Sequence, residues 1–149
     1  MAAALTTVAT VRSPEELAVA FRERGLKITP QRVAIFRALH GNPAHPAAET
    51  VYAGVADGMP SISLRTVYQT LNDLAEMGEI NALDLGTGSA RFDPNVGEHH
   101  HLVCDRCDSV TDVHVDVSGL EPSDLGGFRI DAAQVIFRGR CAPCAAGLG

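Results

Sequence analysis

Apolar residues recur at helical spacing four times in the first half of the chain, and alternation takes over in the second half. Ser13 caps a first helix, with Pro14 at its first position and Glu16 completing a capping box. Leu17, Ala20 and Phe21 form its apolar stripe and Gly25 stops it. Thr29-Pro30 opens a second helix that turns Val33, Phe36 and Leu39 inward and ends at Gly41. A third begins at His45-Pro46, carries Val51, Tyr52 and Val55, and runs out at Asp57-Gly58. Ser63 starts a fourth, in which Leu64, Val67, Leu71 and Leu74 are the buried stripe. Residues 79–85 alternate as a strand, Gly86-Thr87-Gly88 turns the chain, and 90–93 return. Beyond a hinge at Pro94 to Gly97, strands are expected over 99–104, 110–117 and 130–138. A short helix is expected over 120–125, ended by Gly126-Gly127, and residues 1–12 read as a frayed tail.

Short helices followed by a two-stranded hairpin predict an α+β chain that starts with a winged helix-turn-helix. In that arrangement the second helix of the turn motif enters the major groove and the hairpin flanks the backbone. The expected division is a DNA-binding domain over 1–93, a hinge over 94–98, and a small C-terminal α/β domain for dimerisation and metal binding over 99–149. On the fourth helix Arg65, Gln69 and Asn72 share the polar face, with Thr66 and Tyr68 at its edges. These groups suit base edges, and the aromatic ring suits a thymine methyl. The same residues would equally serve as an ordinary solvated helix face. The small second sheet leaves an apolar face over, which predicts a homodimer, and a homodimer matches a palindromic double-stranded operator.

Charge refines this picture. The net charge of −6 argues against indiscriminate nucleic-acid binding. Residues 1–93 hold 8 Lys+Arg against 10 Asp+Glu, whereas 94–149 hold 4 against 8. Bound cations would offset part of the second half's acidity. At 149 residues, with no long apolar run, the chain predicts one or two small domains and no membrane span.

The chain's four cysteines form two Cys-x-x-Cys pairs, Cys104/Cys107 and Cys141/Cys144, with 33 residues between them. Two such knuckles predict one structural Zn2+ per subunit, held by four thiolates. Redox motifs and disulfides are the alternatives. The βαβ setting of a redox motif is missing, and the lack of a signal-peptide pattern predicts a reducing, cytoplasmic location. Just before the first knuckle stand His99, His100 and His101. On a strand, His99 and His101 share one face, making a chelate for Fe, Mn, Zn or Ni, whereas a plain reading is a solvated histidine run. His40 and His114 read as a helix-end and an exposed strand histidine.

Five motifs in this order carry a family resemblance: Ile28-Thr29-Pro30-Gln31-Arg32, His45-Pro46, Arg65-Thr66-Val67-Tyr68, Arg91-Phe92-Asp93, and His99-His100-His101-Leu102-Val103-Cys104. The chain resembles the ferric uptake regulator family from about Leu17 to Cys144. The resemblance implies a dimeric, metal-dependent DNA-binding repressor and adds Arg32 to the DNA-binding candidates Arg65, Thr66, Tyr68, Gln69 and Asn72. It also implies one regulatory Fe2+ or Mn2+ per subunit, on His45, Asp93, His99, His101 and Asp112. Asp at both carboxylate positions is similar to the peroxide-sensing branch, in which iron-driven oxidation of a ligand histidine, here His45 or His99, releases the operator. The alternative is an iron-, zinc- or nickel-responsive uptake repressor. Ala133 stands where many members carry a further metal-site histidine, so Glu98 and His100 are not expected to complete a third site. Outside the family, His99, His101 and an Asp match the iron triad of a small non-haem enzyme, but that needs a closed barrel the chain is too short to build; no enzyme is expected.

Overall fold

The computed structural model describes residues 11–147. The chain divides into two compact units, with the division between Gly97 and Glu98.

The first unit contains α1 (Pro14–Glu23), α2 (Pro30–Leu39), α3 (Ala48–Ala56), α4 (Leu64–Glu76), β1 (Asn81–Leu83) and β2 (Arg91–Asp93). Local grammar accounts for most of it. The Ser13 capping box is complete in both directions, and Thr29 and Ser63 each accept the N–H three residues on. Gly25 and Gly41 follow their helices with φ of 74° and 68°, a left-handed turn that any Cβ would strain. The buried core joins Leu17 and Phe21 of α1, Ile35, Phe36 and Leu39 of α2, Val51 of α3, and Val67, Leu71 and Leu74 of α4. Phe21 and Phe36 meet edge to face at 4.9 Å. β1 and β2 pair antiparallel, with Ala82 opposite Phe92, and the inward Phe92 closes the core.

Several expectations need correction in this unit; Leu64 is only half-buried, and the strand expected over 79–85 shortens to Asn81–Leu83. Ile35, not Val33, is the inward residue of α2, because Ile35, Phe36 and Leu39 make the stripe that meets α1 and α4 while Val33 stays half-buried. The third helix starts at Ala48, not at His45-Pro46. Phe92 N–H donates to the Pro46 carbonyl at 2.9 Å and Ala47 bridges to Arg91, so 45–47 run extended beside β2 before the chain coils. Residues 11 and 12 are not a frayed tail: Val11 is buried, and Arg12 Nε donates to Glu79 at 3.0 Å. The remainder of that stretch, 1–10, lies outside the described residues.

The second unit holds β3 (His100–Cys104), β4 (Val110–Val113), β5 (Ile136–Gly139) and a short α5 (Ala142–Ala145). β3 is central, antiparallel to β4 and parallel to β5. The expected strands 110–117 and 130–138 are cut to four residues each. β3 begins at His100, opposite Val113, so Val115 and Val117 meet no strand. An Asp116 carboxylate that accepts from Ser118 N–H at 3.0 Å then turns the chain. No helix forms over 120–125, and a short helix, α5, instead carries the second cysteine pair. Among the described residues no helix is long and apolar enough to cross a membrane.

Candidate metal centres and recognition helix

Cys104 ends β3, and a tight turn in which Asp108 N–H donates to the Cys104 carbonyl at 3.0 Å brings Cys107 back beside it. Asp108 takes a φ of 58° to make that turn. Cys141 caps α5 and Cys144 lies three residues on, on the same helical face. Parallel pairing of Cys104 with Gly139 sets the two knuckles together. All four sulfurs lie within 4.8 Å of one another, and Cys107 Sγ is 3.7 Å from Cys141 Sγ. Thiolates at about 2.3 Å from a tetrahedral centre stand about 3.8 Å apart, whereas a disulfide needs about 2.05 Å. The cysteines are free thiols set at metal-chelating distance.

The thiols are not equivalent. N–H groups of Cys141, Cys107 and Arg106 stabilise the Cys104 thiolate and hold its pKa at about 6. The Cys141 thiol and burial push Cys144 up to about 12, while the Ser109 hydroxyl, 3.3 Å away, lowers Cys107. Crowding four sulfurs lets one ionise readily and keeps another protonated until a cation balances the charge.

The five expected regulatory ligands appear as two half-sets. In the first unit, the extended 45–47 segment sets His45 Nε2 3.2 Å from Asp93 Oδ2, and both side chains are buried. Arg91 Nη1 donates to the His45 carbonyl at 2.9 Å, which locks the backbone behind the imidazole. Asp93 Oδ1 accepts from Asn95 N–H at 2.8 Å. In the second unit, His101 sits opposite Asp112 in the β3–β4 register. Asp112 Oδ1 lies 3.3 Å from His99 Nε2 and 3.8 Å from His101 Nε2. The His99 and His101 rings meet edge to face at 4.7 Å, so the shared face expected of a strand holds although His99 precedes β3. His100 Nδ1 instead accepts from Val135 N–H at 3.0 Å.

On α4, Arg65, Gln69 and Asn72 are exposed, Thr66 and Tyr68 half-buried, and Val67, Thr70, Leu71 and Leu74 buried. Arg32 lies on α2. Its guanidinium donates to the Lys27 carbonyl at 2.7 Å and to Asp73 of α4 at 3.3 Å, and lies over the Phe21 ring. Gln134, whose amide is 3.3 Å from His101 Nδ1, and Glu49, which accepts from the Tyr68 hydroxyl, escaped sequence reading. Neither belongs to a spaced motif, so nothing local marks them.

Helices with a two-stranded wing, followed along the chain by a sheet unit with a four-thiol cluster, define a winged-helix protein with candidate metal-binding side chains. The chain belongs to the ferric uptake regulator family, whose model matches residues 23–137. The family is one of transcriptional regulators, not enzymes. Over 100 residues the chain is 37% identical to the peroxide-responsive repressor PerR of Staphylococcus epidermidis, a match covering 67% of each protein. Its fold is similar to that of the Helicobacter pylori ferric uptake regulator Fur, described as having three functional metal binding sites. The TM-score is 0.74 at 18% identity, over 91% of this chain and 96% of that one. PerR from Streptococcus pyogenes, described in terms of peroxide sensing and gene regulation, aligns with a TM-score of 0.53 at 26% identity, over 93% and 97% of the two chains.

Proposed function

We propose that the chain is a cytoplasmic, homodimeric repressor that binds palindromic operator DNA when a regulatory Fe2+ or Mn2+ is bound and lets go on exposure to hydrogen peroxide. The observation that carries this reading is the donor chemistry of the two half-sets. His45–Asp93 and His99–His101–Asp112 offer three imidazoles and two carboxylates with no thiolate, which suits Fe2+ or Mn2+. The likeness to peroxide-responsive relatives supports the same reading. The four-cysteine cluster takes one structural Zn2+ per subunit.

The chain's own groups would do the rest. Two aspartates balance the cation's charge, and metal binding favours one conformer of the repressor. Fe2+ held there would supply the redox chemistry that activates hydrogen peroxide, which is itself the net two-electron oxidant. His45 and His99 are the rings exposed to that chemistry: one peroxide oxygen replaces a ring C–H hydrogen as hydroxyl, and the other leaves as water. An oxidised ring is a poorer ligand, so metal and operator are released together. Arg65, Thr66, Tyr68, Gln69 and Asn72 present the DNA-reading face of α4, while Arg32 braces the helix from behind. Leu102 and Phe137, paired across β3 and β5 and both exposed in the single chain, supply the apolar face for a second copy.

The test is operator binding by Fe2+-loaded and Mn2+-loaded protein before and after a low dose of hydrogen peroxide, with mass spectrometry of the peptides holding His45 and His99. Loss of binding in the iron form alone, with one added oxygen on either peptide, is expected. Retained binding with unmodified histidines would make the chain a metal-uptake repressor instead.

A further inference from the structure

Tyr68 and Glu49 form a pair with a consequence for base reading. Tyr68 lies on the α4 stripe between Arg65 and Asn72, three residues after one and four before the other. Its hydroxyl donates to Glu49 Oε1 at 2.5 Å. Glu49 is the second residue of α3, a helix whose cap, Ala47, has no side-chain hydrogen bond. The carboxylate there meets its own backbone N–H and the positive end of the helix, which favour its ionised form. The Tyr68 hydrogen bond, followed by Glu49's own N–H, lowers its pKa, and the same bond raises that of the phenol.

A phenol has one proton to give. With that proton committed to a carboxylate in a short charge-assisted bond, the hydroxyl has none left for the acceptors that dominate the major groove: guanine O6 and N7, adenine N7 and thymine O4. What Tyr68 can still offer thymine is its ring, whose natural partner on that base edge is the C5-methyl, because the lone pairs left on the hydroxyl oxygen suit only the amino donors of adenine and cytosine. A ring pinned at both ends, by the helix backbone and by Glu49, also loses little rotamer freedom when it meets that methyl.

We infer that Glu49 is a positioning and specificity-determining residue, which accepts the Tyr68 hydrogen bond and fixes the ring to read thymine by its methyl group. The inference rests on the DNA-binding reading above and adds to it a residue outside the recognition helix. It makes the repressor's preference for thymine over a methyl-free pyrimidine depend on a carboxylate on α3.

The experiment has one arm without DNA and one with it. The chain has two tyrosines and no tryptophan, so in a Tyr52→Phe background phenolate absorbance reports Tyr68 alone. Glu49→Ala should move that titration to lower pH; an unchanged titration overturns the inference. For the second arm, a duplex is selected from a random-sequence pool with Mn2+-loaded wild-type protein, and each thymine is replaced in turn by deoxyuridine. At one position per half-site, loss of the methyl should weaken wild-type binding about fivefold. Glu49→Ala and Tyr68→Phe should each bring that ratio close to one, and Glu49→Gln, which still accepts from the hydroxyl, should keep most of it. A ratio unchanged in both Glu49→Ala and Tyr68→Phe overturns the inference and leaves the DNA-binding reading standing. Failure of the wild-type chain to select any sequence overturns both.

Discussion

Arg91 Nη1 holds the carbonyl oxygen of His45 at 2.9 Å across 46 residues of sequence. This bond, with the Phe92–Pro46 backbone bond beside it, keeps the residues before α3 extended and delivers the His45 imidazole to Asp93. Arg91→Ala should therefore act twice. Stability of the first unit should fall by about 1.5 kcal/mol, as for loss of a part-buried hydrogen bond from a charged group. Mn2+ affinity should fall on the order of tenfold, as for loss of a group that orients a ligand. Thermal unfolding and a Mn2+ titration measure the two effects separately.

Gln134 sits behind His101, with its amide 3.3 Å from Nδ1. A metal on Nε2 requires the proton on Nδ1, so the amide must then turn its oxygen toward the ring. Gln134→Ala should weaken Mn2+ binding about tenfold and leave zinc content unchanged, as metal analysis of the purified variant would show.

Zinc retention should depend on pH in one direction. All four sulfurs must be thiolates to hold the ion, so binding displaces protons, chiefly from Cys144, whose thiol is pushed up to about 12. Lowering the pH favours the protonated thiols and release. The loss should steepen below about 6, where Cys104 also takes up its proton. A chelating dye followed between neutral and mildly acidic pH reads the effect, and retention that improves on acidification would contradict it.

Arg32 touches Phe21 of α1, the Lys27 carbonyl and Asp73 of α4 at once. Arg32→Ala should lower stability by about 1–2 kcal/mol and leave the salt dependence of operator binding unchanged. A slope reduced by about 0.9 would mark Arg32 as a phosphate contact after all.

Phe137→Glu places a charge beside Leu102 on the exposed face of the second sheet. It should convert the proposed dimer to monomer in sedimentation velocity without loss of zinc from the zinc-loaded protein. A dimer that persists would move the interface away from this face.

The parts legible in the sequence are those set by short-range physics. Ser13, Thr29 and Ser63 act within three residues, and the apolar stripe of α4 repeats within one turn, so caps and core positions could be read directly. Candidate ligands among the cysteines and His99/His101 were equally open, because Cys-x-x-Cys and His-x-His spacing fixes which side chains share a turn or a face, whereas His45, Asp93 and Asp112 came only with the family resemblance. Element ends were less so. Val115 and Val117 alternate perfectly well, yet they form no strand, since a strand needs a partner and β3 ends its pairing at Val113. Ile35 displaced Val33 for a similar reason, since which side of α2 faces inward depends on where α1 and α4 pack.

Local sequence sufficed for the helix caps, the α+β plan and the kinds of candidate ligand available. Tertiary structure decided which distant groups meet: Arg32 with Asp73 across 41 residues, Tyr68 with Glu49 across 19, and the Arg91 guanidinium with the His45 carbonyl. Caps and periodicity are settled inside one turn of chain, where a side chain has few alternatives. A long-range hydrogen bond forms only after packing of the whole core has brought its donor and acceptor within about 3 Å, and nothing local records that outcome.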